Sequence, residues 1–337
     1  MPLLDESLNL MTTNSDSKVA LLGCGMWGRN IARNLASLSA LTAVYDTHPD
    51  RAASFAKEFD ASALSLDAIL KDDTICAVAI AASATTHKDL ALAALDAGKH
   101  VYIEKPMALT LKDAKAIQDK AQEMGLGVMV GHLIRYHSAF VTLQACVADH
   151  MIGKIKHIQA NRLAMGRIRT TESVLFDLCP HDLSLVLALA GEMPNHITCH
   201  GASHITENVV DILTTGLGFA NGISATLHTS WLNPFKEHKL TVIGETGSLV
   251  FDDTKDWAEK VTYYKDTITP DGHYFQIDRE NPVHVDVPPS EPLKDEMRAF
   301  LTLCADGTLP PSHGGEAVMV QEVLEIMQAK LQDVTQK

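Results

Sequence analysis

One short stretch constrains the fold more than any other: KVALL at 18–22, followed at once by Gly23-Cys24-Gly25-Met26-Trp27-Gly28. An apolar strand, a glycine turn and an amphipathic segment from Trp27 to Leu38, with Ile31, Leu35 and Leu38 at helical spacing, make a strand–turn–helix unit. In G-x-G-x-x-G the first glycine allows the tight turn, the second lets backbone approach a pyrophosphate, and the third lets helix pack on strand. The anion then lies at the helix N-terminus, where free amide hydrogens and the helix dipole favour it. The next apolar strand, LTAVYD, ends in Asp46, whose carboxylate can accept from both ribose hydroxyls of an adenosine. That charge also repels a 2′-phosphate, so NAD is expected rather than NADP. Gly23, Gly25, Met26, Trp27, Gly28, Asp46 and Arg51 are therefore expected around the cofactor, although a solvated helix face is an equally simple place for Arg51.

The pattern continues with helical segments at 50–59 and 66–70, the buried-type strand ICAVAIAA, a helix at 86–95, HVYIE, a helix at 111–124 and GVMVGH. Such alternation predicts a parallel, doubly wound α/β Rossmann sheet over residues 18–133. Lys105 follows a strand of that sheet and precedes Pro106, at the carboxyl edge where ligands of open α/β folds bind. Beyond residue 134 the strands alternate in character, from IKHIQANRLA to VHVDV, and two of them are joined by Asn221-Gly222, a hairpin signal. With helices at 180–190 and from Leu293 onward, residues 134–337 read as an α+β C-terminal domain with a large, mostly antiparallel open sheet. The stretch 269–289 is the most loop-like, and residues 1–17 read as an N-terminal arm.

A net charge of −14 gives no bulk attraction to nucleic acid or to an anionic membrane. No apolar run approaches the length of a membrane span. The first residues lack the basic start and apolar core of a secretory signal, and the six cysteines show no C-x-x-C spacing. With no H-E-x-x-H pair either, a reducing cytoplasm and no metal site are expected. Against that acidic background, residues 151–170 carry Lys154, Lys156, Arg162, Arg167 and Arg169 and no acidic residue. Such a cluster suits a pyrophosphate, and its plainer reading is a solvated strand edge.

Asp177 and His181 lie four apart at the entrance of the 180–190 helix, where an imidazole can take a hydroxyl proton while a carboxylate orients it. Asp182 is the other candidate for that carboxylate. Either His181 or Lys105 can serve as base, the other holding the same oxygen. Arg135 and Tyr136, just after the last Rossmann strand, are expected to contact substrate, and Trp231 is expected either to stack on it or to fill the core. Leu, Ile and Val on both parities of the later strands suggest a sheet face buried on another subunit, hence a homo-oligomer.

Further stretches carry a resemblance: AASATTH (81–87), AGKHVYIEKP (97–106), VGHLIRYH, MIGKIKHI, the Asp177-x-x-x-His181 pair, SWLNPFK and EPLKDEMRAFL. The chain resembles the Gfo/Idh/MocA family, of glucose-fructose oxidoreductase and inositol dehydrogenase type, along nearly its whole length from Lys18. The EKP triplet is the most specific mark. The resemblance implies a catalytic Lys105, Glu104 on the nicotinamide ribose, and Ser83 and His87 in the adenine-side loop, where Ala82 and Ser83 replace the usual threonine and proline. NRLAMGRIRTTESVLFDLCPHDLSLV and SWLNPFKEHKLTVIGETGSLVFDD are most similar to the nucleotide-sugar branch. There the Pro234–His238 turn, with Lys236, would serve phosphate. The implied activity is NAD-dependent oxidation of the C3 hydroxyl of UDP-N-acetylglucosamine to a 3-keto sugar. That product would feed a partner aminotransferase making a 3-amino sugar for lipid A or lipopolysaccharide. The corresponding uronate, an inositol or polyol, and a non-catalytic dinucleotide-binding regulator are the alternatives.

Overall fold

Parallel strands open the described part of the chain, and helices fill both faces between them. The computed structural model describes residues 17–335, with side chains to Leu331; the arm expected over 1–17 lies, except for Ser17, outside the described residues. Elements alternate as β1 (Val19–Leu22), α1 (Met26–Ser37), β2 (Leu41–Tyr45), α2 (Pro49–Phe59), β3 (Ser62–Ala63), α3 (Leu66–Lys71), β4 (Ala77–Ile80), α4 (His87–Asp96), β5 (His100–Ile103), α5 (Leu111–Met124) and β6 (Val128–Val130). The sheet order is β3-β2-β1-β4-β5-β6, every pair parallel. Strand order therefore reverses between β1 and β4, the switch point at whose carboxyl ends open α/β sheets bind ligands. Both strands are wholly buried, as continuous apolar runs require when helices cover both faces. Local chemistry sets the helix starts: Pro49 opens α2, Ser65 Oγ accepts from Ala68 N at 3.1 Å, and Thr110 Oγ1 accepts from Asp113 N at 3.1 Å.

The second unit holds α6 (Ser138–Ala148), β7 (Ile155–Met165), α7 (Val174–Asp177), α8 (Cys179–Ala190), β8 (His196–Ala202), β9 (Ile212–Gly218), β10 (Ser224–Ser230), β11 (Leu232–Gly244), β12 (Ser248–Asp252), β13 (Val261–Tyr264), β14 (Thr267–Asp271), β15 (Tyr274–Asp278) and β16 (Val283–Val285). Eight of these strands form one sheet, β16-β13-β12-β11-β7-β10-β9-β8, antiparallel except for the β7–β10 pair. Asn221-Gly222 turns β9 into β10, with Gly222 at φ 86°. On one face Ile158, Leu213, Ala225, Leu227, Val242 and Leu249 are buried, and α6 and α8 pack on this sheet. The opposite face departs from the expected apolar pattern. Thr198, His200, Thr214, Thr226 and Gln159 are exposed there, so one parity is polar, as in an antiparallel sheet with one solvated face.

Two further expectations are corrected. Within 269–289, read as loop, β14 and β15 pair as a hairpin around Gly272 and His273, the former at φ 61°. The helices expected from Leu293 onward are α9 (Pro292–Asp306) and α10 (Gly314–Thr335), separated at Gly307 with φ 79°. The chain is also not cut once near 133. Among the described residues, those up to Gly131 form the first unit together with Glu291–Gln321, and His132–Ser290 form the second with those from Glu322 onward. The return is explained by packing. Phe300 lies against Tyr102 with ring centroids 5.8 Å apart, Leu303 stands where a Cβ on Gly127 would fall, and Val130 N donates to Ser312 O at 2.9 Å. Among the described residues no helix is long and apolar enough to cross a membrane, and no group of three His, Cys, Asp or Glu could hold a metal ion.

Candidate active site

The three glycines of the first turn do different work. Gly23 has φ +109°, and a Cβ on it would lie 2.6 Å from the Ala81 carbonyl oxygen; on Gly28 it would lie 2.1 Å from that of Gly23. Those two glycines serve the turn and the close packing of α1. A Cβ on Gly25 would meet nothing within 4 Å, so open space faces the backbone at the start of this 12-residue helix. That is the cradle a pyrophosphate requires. Just past β2, Asp46 Oδ2 accepts from Cys24 N at 2.9 Å and Oδ1 from His48 N at 2.8 Å, while Arg51 stands 3.6 Å away. Burial pushes this carboxyl up, but the His48 and Cys24 amides and Arg51 outweigh it and hold it below its ordinary value. Asp46 is thus a fixed anion. A pocket lined by Cys24, Gly25, Met26, Arg29, Arg51 and Ser54 adjoins it, and Arg29, paired with Glu58, lies over the Phe55 ring. These residues fit an adenosine with its ribose against Asp46 and its pyrophosphate on Gly25. Arg51 takes its place through Asp46.

β5 delivers Glu104, Lys105 and Pro106 to the carboxyl edge of the same sheet. Glu104 accepts from Tyr102 Oη at 2.8 Å, from Lys105 N at 3.3 Å and from the Trp27 indole. Desolvation raises its pKa, and Trp27, Tyr102 and Lys105 oppose that rise. Met26 and Trp27, in the first turn of α1, are both exposed. Ser83 is exposed beyond β4, its Oγ 2.9 Å from Thr85 Oγ1. His87 departs from the expected cofactor contact. It is 1% exposed, with Nδ1 2.8 Å from Pro106 O and Nε2 3.2 Å from Ala82 O. Burial lowers its pKa against the opposing pull of the two carbonyls, and the neutral ring has one N–H to give, so it donates to one of them at a time, with Nδ1 at the shorter distance to Pro106 O.

In the second unit, Asp177 ends α7 and His181 sits in the first turn of α8, after Pro180. Asp177 Oδ1 accepts from Arg169 Nη2 at 3.0 Å, and its Oδ2 accepts from Trp231 Nε1 at 3.0 Å. Trp231 is 1% exposed, which decides between its two readings: it is a core aromatic that braces Asp177 and not a stacking platform. Arg162 is corrected too. Its Nε and Nη2 donate to Asp182 Oδ2 and Oδ1 at 2.9 and 2.8 Å in a buried, bidentate pair. That pair consumes both the expected phosphate ligand and the alternative orienting carboxylate. The basic stretch divides as well, because ~30 Å of extended β7 separates Lys156 from Met165. Lys156 bonds Glu245 at 2.7 Å, leaving exposed Arg167 and half-buried Arg169 beyond the other end of the strand. Lys236 is exposed on β11, next to exposed Phe235. Arg135 and Tyr136 lie in a short turn of helix and are largely buried, with Arg135 Nη1 3.4 Å from Ser184 O.

Sequence reading missed two polar groups, the half-buried Asp253 and the buried Glu296. In the second unit Asp253 accepts from Lys260 Nζ at 2.9 Å and lies 3.4 Å from His137 Nε2 and 3.9 Å from His238 Nδ1. His137 in turn stacks on Trp257 with centroids 5.1 Å apart. In the first unit Glu296 of α9 bonds Tyr102. Neither has a local motif; each joins residues far apart in the chain.

Family models described as "Oxidoreductase family, NAD-binding Rossmann fold" and "GFO/IDH/MocA C-terminal domain" match residues 17–132 and 140–250. UDP-N-acetylglucosamine 3-dehydrogenase of Acidithiobacillus ferrooxidans is 34% identical over 63% of this chain and 66% of its own length. The 1,5-anhydro-D-fructose reductase of Ensifer adhaerens is 28% identical over 62% of this chain and 67% of its own. The matches thus span about two thirds of these relatives. A solved structure of UDP-N-acetylglucosamine 3-dehydrogenase GnnA from Acidithiobacillus ferrooxidans aligns with TM-score 0.84 and 26% identity, covering 95% of this chain and 99% of that one. The chain belongs to the Gfo/Idh/MocA oxidoreductase family, and its cofactor is NAD.

Proposed function

We propose that this protein oxidises the C3 hydroxyl of UDP-N-acetylglucosamine to the 3-keto nucleotide sugar. The observation that carries this reading is the similarity to UDP-N-acetylglucosamine 3-dehydrogenase along almost the whole fold, in a chain that carries Lys105 and His181. Bound NAD supplies the hydride acceptor. His181 takes the hydroxyl proton, since an imidazole titrates near neutrality. Lys105 donates a hydrogen bond to the same oxygen as it becomes a carbonyl, and an exchange of these two roles is the one variant of the scheme. Asp177, braced by Trp231 and Arg169, supplies the adjacent negative charge. With Arg162 committed to Asp182 and Lys156 to Glu245, pyrophosphate recognition falls to Arg167, Arg169 and Lys236, and Arg135 and Tyr136 serve the sugar. Glu104, Trp27 and Ser83 complete the cofactor set.

The keto product suits a partner aminotransferase that makes a 3-amino sugar for lipid A or lipopolysaccharide in the cytoplasm. The enzyme acts as a homo-oligomer. What supports this is the β14–β15 hairpin, where Tyr274 and Phe275 are 80% and 69% exposed, since a lone two-stranded hairpin is marginal in water. Deuterium placed at C3 of UDP-N-acetylglucosamine tests the chemistry. Label recovered in the reduced nicotinamide, with a primary isotope effect, supports C3 oxidation; label retained in the sugar while NAD is reduced excludes it.

A further inference from the structure

Three groups of the first unit meet in its interior with one proton too few. Tyr102 Oη lies 2.8 Å from Glu104 Oε1 and 3.2 Å from Glu296 Oε2. A phenol has one hydrogen to give, so it cannot donate to two carboxylates at once. One carboxyl must hold a proton of its own and donate it to the phenol oxygen.

The surroundings decide which. Glu104 is partly exposed and receives the Trp27 indole, the Lys105 amide and the Lys105 charge. Glu296 is 0% exposed, its Oε1 has no hydrogen-bond partner, and the charge acting on it is the negative one of Glu104. An uncompensated buried carboxylate is far more costly than a neutral acid. The surrounding packing is specific for the arrangement. Glu296 and Phe300 project from one face of α9, and the Phe300 ring fixes that of Tyr102. A Cβ on Gly131 would fall 2.7 Å from Tyr102 Oη and 3.0 Å from both Glu104 oxygens, so glycine there leaves room for the bonds.

We propose that Glu296 is a positioning residue that stays protonated and donates to Tyr102, directing the phenol hydrogen onto Glu104 and so holding Glu104 as the oriented anion beside Lys105. Glu296 touches no reacting atom. It acts through two hydrogen bonds, and it reaches the sheet because α9 returns to the first unit. The proposal rests on the reading that Glu104 and Lys105 serve the dehydrogenase reaction.

Two measurements separate its failure from the failure of that reading. First, infrared difference spectra of the ligand-free protein at neutral pH, wild type against Glu296→Gln, should show loss of a protonated-carboxyl C=O band. Loss of carboxylate bands instead overturns the proposal, whatever the substrate proves to be. Second, the pH profile of kcat/KM separates orientation from mere packing. Glu296→Gln keeps a neutral donor and should stay within about twofold of wild type with an unmoved acidic limb. Tyr102→Phe removes the donation to Glu104, so the acidic limb should move up by about one pH unit and kcat should fall by about tenfold; Glu296→Leu leaves the phenol hydrogen in place but takes away the donor that fixes its direction, so its limb should move the same way and by less. A Glu296→Gln profile displaced as far as that of Glu296→Leu overturns the proposal, as does a Tyr102→Phe profile identical to wild type. Should the Leu variant fail to fold, the Gln and Phe variants still decide. A wild type inert on every sugar nucleotide defeats the functional reading alone, because the infrared band is read without substrate.

Discussion

Single atoms decide what each glycine of the cofactor turn does, and the same geometry sets what substitution costs. Gly28→Ala drives a Cβ to within 2.1 Å of backbone and should cost about 1–3 kcal/mol of stability or more, seen as a lower denaturant midpoint. Gly25→Ala meets no protein atom, so its midpoint should stay near wild type while the NAD dissociation constant rises at least tenfold by calorimetry, on the order of 1.4 kcal/mol. Equal losses of stability in the two variants would mean that Gly25 is a packing glycine. Arg162 makes the opposite point. Arg162→Leu leaves Asp182 buried and unpaired and should cost about 3–5 kcal/mol, whereas Arg162→Met with Asp182→Leu should regain most of it. A phosphate ligand would behave otherwise, raising KM with stability intact. Asp46 and Lys105 were legible in the sequence because strand ends and turns are local. Arg162 was not, because its partner lies on another element, and an arginine alone looks the same whether it meets phosphate or Asp182. His87 was misread for the same reason: its partners, Ala82 O and Pro106 O, are backbone atoms with no signature in the sequence.

Elements in the first half follow their periodicity closely. The helix expected at 111–124 is α5, and the runs of Val, Ile and Ala that flank the helices are β1, β4 and β5. A hydrophobic pattern reports burial, and here both faces are buried. The β14–β15 hairpin escaped notice because its strands are short and exposed, so no alternation of buried and exposed positions marks it. Glu296 was invisible in its helix, since nothing in EPLKDEMRAFL says which unit α9 joins. In the second unit, Asp253 ties the chain after β12 to Lys260 ahead of β13 and to His137 ahead of α6. Burial raises this carboxyl, but His137, His238 and Lys260 overcome that and hold it well below the usual range. Its folded pKa lies under the unfolded one near ~3.9, so its stabilisation is complete above that pH and is lost as pH falls toward the folded value. The urea midpoint of wild type should therefore fall steeply below about pH 4, and Asp253→Asn should start lower and fall less. Parallel curves for the two proteins would remove Asp253 from the acid transition.

At the scale of the molecule, one unit is an NAD-binding Rossmann fold and the other an open sheet with one apolar and one polar face. Alternation was enough to assign a parallel sheet to one and a mostly antiparallel sheet to the other, but not the polar face of the second, nor that the chain re-enters the first unit from Glu291. That return depends on Phe300, Leu303 and Ser312 finding partners on β5 and β6, contacts between residues remote in sequence. If the exposed hairpin seals a subunit contact, Tyr274→Asp with Phe275→Asp should lower the mass in sedimentation equilibrium while leaving the melting of each subunit's core largely in place. Unchanged mass would place the contact elsewhere. The central claim is substrate identity. Purified protein with NAD should be given UDP-N-acetylglucosamine, its uronic acid or myo-inositol, with a carbonyl trap to draw the equilibrium forward, while nicotinamide reduction is followed by absorbance. Reduction with UDP-N-acetylglucosamine, and little with the other two, is the expected result. Reduction with myo-inositol or the uronic acid in its place, or silence on all three from protein that binds NAD, would contradict it.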